Sequence, residues 1–185
     1  MVNVSPKFIG EIFYSGQFGF VGDVEIATKI AFLVNNNYLL LSPITMATKE
    51  FYLSTSSNHS LITSRDEASG GGTTHIALKL LAERYLKNEY NVDCVFERPF
   101  AGFIPDVQSL NKHIICECGH TNNPEKIFEY FKHPEIRYVI QIPYPNEDDT
   151  FVTGYEFQAQ PQLNSFLELE SSERNQRIKD IINRR

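Results

Sequence analysis

The sequence predicts an α/β fold, a mixed β-sheet with helices on both faces. Three observations carry this. From His75 to Pro145 the pattern runs helix, three strands, helix, strand. A tight connection, SLNK, joins the second and third strands as an antiparallel pair, whereas a helix crossover joins the third to the fourth and makes them parallel. The chain has 185 residues, 42% hydrophobic and 22% charged, which is enough apolar material for one well-buried domain.

Residues 1–65 read as a mainly β N-terminal segment. Tyr, Phe, Ile, Val and Thr are frequent, with Gly and Asn clusters between them. AFLV-NNN-YLLLSP predicts a hairpin turning at Asn35 to Asn37, and KEFYLST a further strand. DVEIATKIAFLV fits both periods. Ala27, Ile30, Ala31 and Val34 make a helical stripe, while Val24, Ile26, Thr28, Ile30, Phe32 and Val34 alternate; the second half leans to strand. SSNHS and SRDEASGGGTT, within residues 56–74, form a polar linker.

The middle of the chain, residues 66–160, reads as the α/β core. HIALKLLAERYLKNE is a helix capped by Thr73 or Thr74, with Lys79, Glu83 and Lys87 on a polar stripe. VDCVFERPF, FIPDVQS and KHIICECG are strands, the first two separated by a turn at Gly102. NNPEKIFEYF is the second helix, with Asn123 as N-cap and Pro124 in its first turn. HPEIRYVIQIPYP is the fourth strand. Residues 161–185 form a C-terminal helix, long or broken, with Leu163, Phe166, Leu167, Ile178, Ile181 and Ile182 at helical spacing.

The net charge of −6 argues mildly against a protein that coats nucleic acid. It leaves room for an enzyme built on carboxylates. No apolar run is long enough to span a bilayer, and MVNVSPKFIG lacks the order of a signal peptide. A cytoplasmic protein is expected. Three cysteines, Cys94, Cys116 and Cys118, form no disulfide framework.

Two acids stand out. Asp106 lies in FIPDV and Glu117 in IICEC, both within apolar strand, where an unpaired charge is expensive. A shared cation offsets that cost, and so does an Arg or Lys partner. Across a two-stranded ribbon the two carboxylates can face the same side. Cutting a phosphodiester needs an activated water and neutralised phosphate charge, both of which Mg²⁺ supplies from one or two carboxylates. C-x-C-x-H at Cys116, Cys118 and His120 lacks zinc-knuckle spacing and reads as buried thiols. SGGGTTH has no phosphate-binding lysine and reads as a connection.

The αβββαβ order, with Ile104-Pro105-Asp106 on the second strand and Glu117 on the third, resembles the PD-(D/E)XK, or restriction-endonuclease-like, nuclease fold over about residues 72–143. The resemblance implies a metal-dependent nuclease that hydrolyses phosphodiester bonds in DNA. Mg²⁺ (or Mn²⁺) would sit on Asp106, Glu117 and the backbone around Cys118. DNA is the expected partner, no membrane is, and a homodimer is left open. The family's lysine, two residues after the glutamate, is here Gly119. Some members of the fold take a basic group from the following helix instead, where Lys126 stands. His75, at the start of the first helix, matches the place from which the family adds a further site residue. The alternative is a nuclease-fold module without catalysis that binds a partner protein or nucleic acid.

Overall fold

A computed structural model of the chain describes residues 3–14, 21–47, 72–120, 125–145 and 151–182. Among the described residues, six helices and six strands follow one another: α1 (Pro6–Tyr14), α2 (Val21–Asn35), β1 (Leu39–Ala47), α3 (Thr73–Tyr90), β2 (Cys94–Phe96), β3 (Val107–Ser109), β4 (Ile114–Cys118), α4 (Lys126–Phe131), β5 (Tyr138–Ile142), β6 (Phe151–Ala159), α5 (Leu163–Leu167) and α6 (Ser171–Ile182). The strands form one sheet in the order β1-β6-β5-β4-β3-β2. Only β4 and β5, joined through α4, pair in parallel; the other neighbours are antiparallel. The expected mixed sheet flanked by helices is therefore present.

Strand β4 shows how the sheet is buried. All five of its residues are buried, as a strand covered on both faces requires. Ile115 joins a core with Ile9, Phe13, Ile30, Leu33, Val139 and Phe157, beneath α1, α2, α4 and α5. Ile114, Cys116 and Cys118 join a second core with Leu78, Leu81 and Leu86 of α3. Each fully buried leucine of that helix contributes about 1.5–3 kcal/mol.

The N-terminal segment differs from its mainly β expectation, because its described part holds two helices and one strand. DVEIATKIAFLV is helix throughout α2. Its Ala27, Ile30, Ala31 and Leu33 are buried against the sheet, and that apolar stripe outweighs the β propensity of its branched residues. Asn35 to Asn37 turn helix into strand rather than strand into strand. Asn37 takes the left-handed backbone, φ 58°, which asparagine tolerates. The Asn35 amide ties down the start of the chain, accepting from the Val4 N–H at 2.8 Å and donating to the Val4 carbonyl at 2.9 Å. Strand β1 follows where YLLLSP predicts it and pairs along its whole length with β6. Strand β6 has no counterpart in the sequence reading. It pairs on its other side with β5 and so joins the N-terminal strand to the α/β core.

Smaller differences matter for the site. Strand β3 begins at Val107, so Asp106 lies just before it. Helix α3 is preceded by Gly72, which makes no side-chain cap. Lys87, on that stripe, pairs with Asp93 at 2.5 Å. Lys79, expected on a polar stripe, is only 2% exposed. The C-terminal helix is broken into α5 and α6, and the Arg174 guanidinium donates back to the Leu167 carbonyl at 2.7 Å. The KEFYLST strand, most of the 56–74 linker and the cap at Asn123 and Pro124 lie outside the described residues.

Candidate functional site

The four site residues expected from the sequence come from four places. His75 is in the first turn of α3, Asp106 precedes β3, Glu117 is in β4 and Lys126 opens α4. All four enter hydrogen-bonded pairs, although the two carboxylates are held by different helices. Asp106 Oδ1 lies 3.0 Å from His75 Nε2, and Oδ2 accepts the Cys118 backbone N–H at 2.7 Å. Glu117 Oε1 accepts the Tyr130 hydroxyl at 2.6 Å, and Oε2 accepts from Lys126 Nζ. Lys126 and Tyr130 are four residues apart, so α4 presents both on one face. Helix α3 packs on one side of the sheet and α4 on the other, so the carboxylates are approached from opposite sides.

The electrostatics follow from burial. Glu117 is 3% exposed, and burial pushes its carboxyl above the ordinary range; Lys126 pulls it down and Asp106 pushes it up. Burial and the neighbouring Glu117 drive the Tyr130 phenol far above its usual value, so it stays a neutral donor. The Cys118 thiol is raised well above its ordinary value, again chiefly by burial, as expected of an inert core cysteine rather than a metal thiolate.

A second chain of contacts runs through His75. With Nε2–H donating to Asp106, Nδ1 accepts from the Tyr144 hydroxyl at 3.2 Å. Tyr144 also explains Gly119. That residue has φ +79°, and a Cβ there would stand 2.5 Å from the Tyr144 ring. At the position where the resembled family carries its lysine, a side chain would thus be strained by the left-handed backbone and would have to displace the Tyr144 ring.

Among the described residues, no group of three or more His, Cys, Asp or Glu side chains is placed to hold a metal ion. This overturns the expected Mg²⁺ or Mn²⁺ site on Asp106, Glu117 and Cys118, and with it the metal-binding, magnesium-dependent nuclease chemistry. The physical reason is the separate capture of the two carboxylates. Asp106 is bonded to an imidazole and to the Cys118 backbone N–H, and Glu117 to an ammonium and a phenol.

The sequence reading did not assign Tyr130, Tyr144 or the Lys79–Glu97 pair to the site. Tyr130 was legible as the residue one turn after Lys126. Lys79 stands one turn after His75 on α3 and pairs with Glu97 at 2.5 Å. Glu97 has φ 50°, a left-handed conformation that costs a non-glycine residue about 1–3 kcal/mol. Tyr144 had no signal in the sequence, because its partners His75 and Gly119 are far from it along the chain.

The chain matches no protein-family model, no curated protein and no solved structure. No helix among the described residues is long and apolar enough to cross a membrane.

Proposed function

We propose that this chain is a restriction-endonuclease-like module that does not cut, and that it acts by binding a partner protein. The observation that carries this reading is that all four carboxylate oxygens of Asp106 and Glu117 have protein partners. Carboxylates satisfied in this way support structure, and at Glu117 the proton affinity raised by burial opposes the ionised state that ligating or activating roles need. The order α3-β2-β3-β4-α4-β5 and the parallel β4–β5 pair support the fold assignment. The crowded position at Gly119 supports the loss of catalysis.

A protein partner suits the surface better than DNA. The net charge is −6, which opposes phosphate. In and beside β2 and β3, at one edge of the sheet, Phe96, Ile104 and Leu110 each expose a large apolar side chain.

The test is a cleavage and binding panel with single- and double-stranded DNA, in Mg²⁺ and in Mn²⁺. The expected result is no cleavage, and no DNA binding that weakens with salt. Metal-dependent cleavage by the wild type would replace this reading with an enzyme. Salt-dependent DNA binding without cleavage would change the partner to nucleic acid.

A further inference from the structure

A cleft between α2, α4, α5 and α6 stands apart from the Asp106–Glu117 network. It is half open to solvent and has a volume of about 150 Å³. Apolar side chains from all four helices line it, Leu33, Phe128, Phe166 and Ile178 among them. The cleft also carries three cations, Lys29, Lys132 and Arg174, and two acids, Glu125 and Glu129.

The cations are not equivalent. Lys29 is paired with Glu25 at 2.8 Å, and Lys132 with Glu129 at 2.6 Å. The Arg174 guanidinium instead donates to the Leu167 carbonyl at 2.7 Å and to the Ser171 hydroxyl at 3.1 Å. Both partners are neutral, so these bonds orient the group without cancelling its charge. They take two of its five N–H donors. A held guanidinium fork matches a carboxylate in two-point contact. An apolar base with one oriented polar group is the usual make-up of a small-molecule site. Apolar cavities of roughly 150 Å³ in other proteins take a benzene ring.

We infer that this cleft binds a small monocarboxylate whose apolar body is about the size of one ring. The body lies on Leu33, Phe128, Phe166 and Ile178, and the carboxylate on Arg174. The inference does not depend on the partner-binding reading above.

Titration calorimetry on the full chain tests it, with benzoate as probe and benzyl alcohol as its neutral counterpart. Benzoate is expected to bind saturably, and benzyl alcohol about tenfold more weakly. Arg174→Gln should weaken benzoate by about tenfold and leave benzyl alcohol unchanged. Ile178→Trp fills the cleft from α6 while sparing the Arg174 bonds, and should abolish binding of both. It decides the matter if Arg174→Gln fails to fold. The inference is overturned if benzoate shows no saturable binding to the wild type. Equal affinity for the two probes, or benzoate binding that survives Ile178→Trp, would overturn it as well.

Discussion

Lys126 looks in the sequence like a solvated lysine in a first helical turn, yet its ammonium closes on a carboxylate that is 3% exposed. Removing it would leave Glu117 buried with the Tyr130 hydroxyl as its remaining side-chain partner, so Lys126→Ala affects folding as well as any function. Glu117 itself gives a pH signature. Its carboxyl is raised in the folded chain, chiefly by burial, above the ordinary value of 4.5. The folded chain therefore holds the Glu117 proton more tightly than the unfolded chain does. That contribution to stability is fully present below about pH 4.5 and is lost as pH rises through the folded pKa. Urea unfolding at several pH values should show wild type losing stability relative to Glu117→Gln as pH rises from acid toward neutral. The opposite slope would mean that Lys126, not burial, governs this carboxyl.

At the scale of elements, α2 is where local pattern and tertiary context conflict most. Its residues satisfy both a period of two and a helical stripe, and burial against β1, β5 and β6 selects the helix. Ile30 is fully buried there. Ile30→Ala should cost about 2–5 kcal/mol in denaturant unfolding, as befits a residue of the main core. A cost below about 1 kcal/mol would mean that α2 rests on the sheet without sharing its core. Strand β6 eluded the sequence reading for a related reason. FVTGYEFQA carries Gly154, Glu156 and Gln158 between its apolar residues, and the strand forms because β1 and β5 bracket it.

For the whole molecule, the consequence of β6 is continuity. The sheet runs unbroken from the N-terminal strand β1 to β2, and the core beneath α1 and α2 also takes in Ile115, Val139 and Phe157. No independent seam separates the N-terminal segment from the rest of this core. Urea unfolding followed by far-ultraviolet circular dichroism and by tyrosine fluorescence should therefore give one coincident transition; the chain has nine tyrosines and no tryptophan to serve as reporters. Two separated transitions would show that the N-terminal segment unfolds by itself.

Local signals in the sequence were enough for the α/β class, for helix α3, for strands β1, β4 and β5 and for the break-prone C-terminal helix. Each of these has a clear period or propensity within a few residues. They also made Asp106 and Glu117 stand out, because a charge within apolar strand needs a partner, whereas His75 and Lys126 were singled out by the resemblance to the nuclease fold. Which partner each one takes was decided only by the tertiary structure. A carboxylate between apolar residues is equally compatible with a cation and with an internal donor. The choice depends on which helix covers which face of the sheet, and on distances between residues far apart in the chain. Here α4 brings Lys126 and Tyr130 to Glu117, α3 brings His75 to Asp106, and Tyr144 closes the space over Gly119.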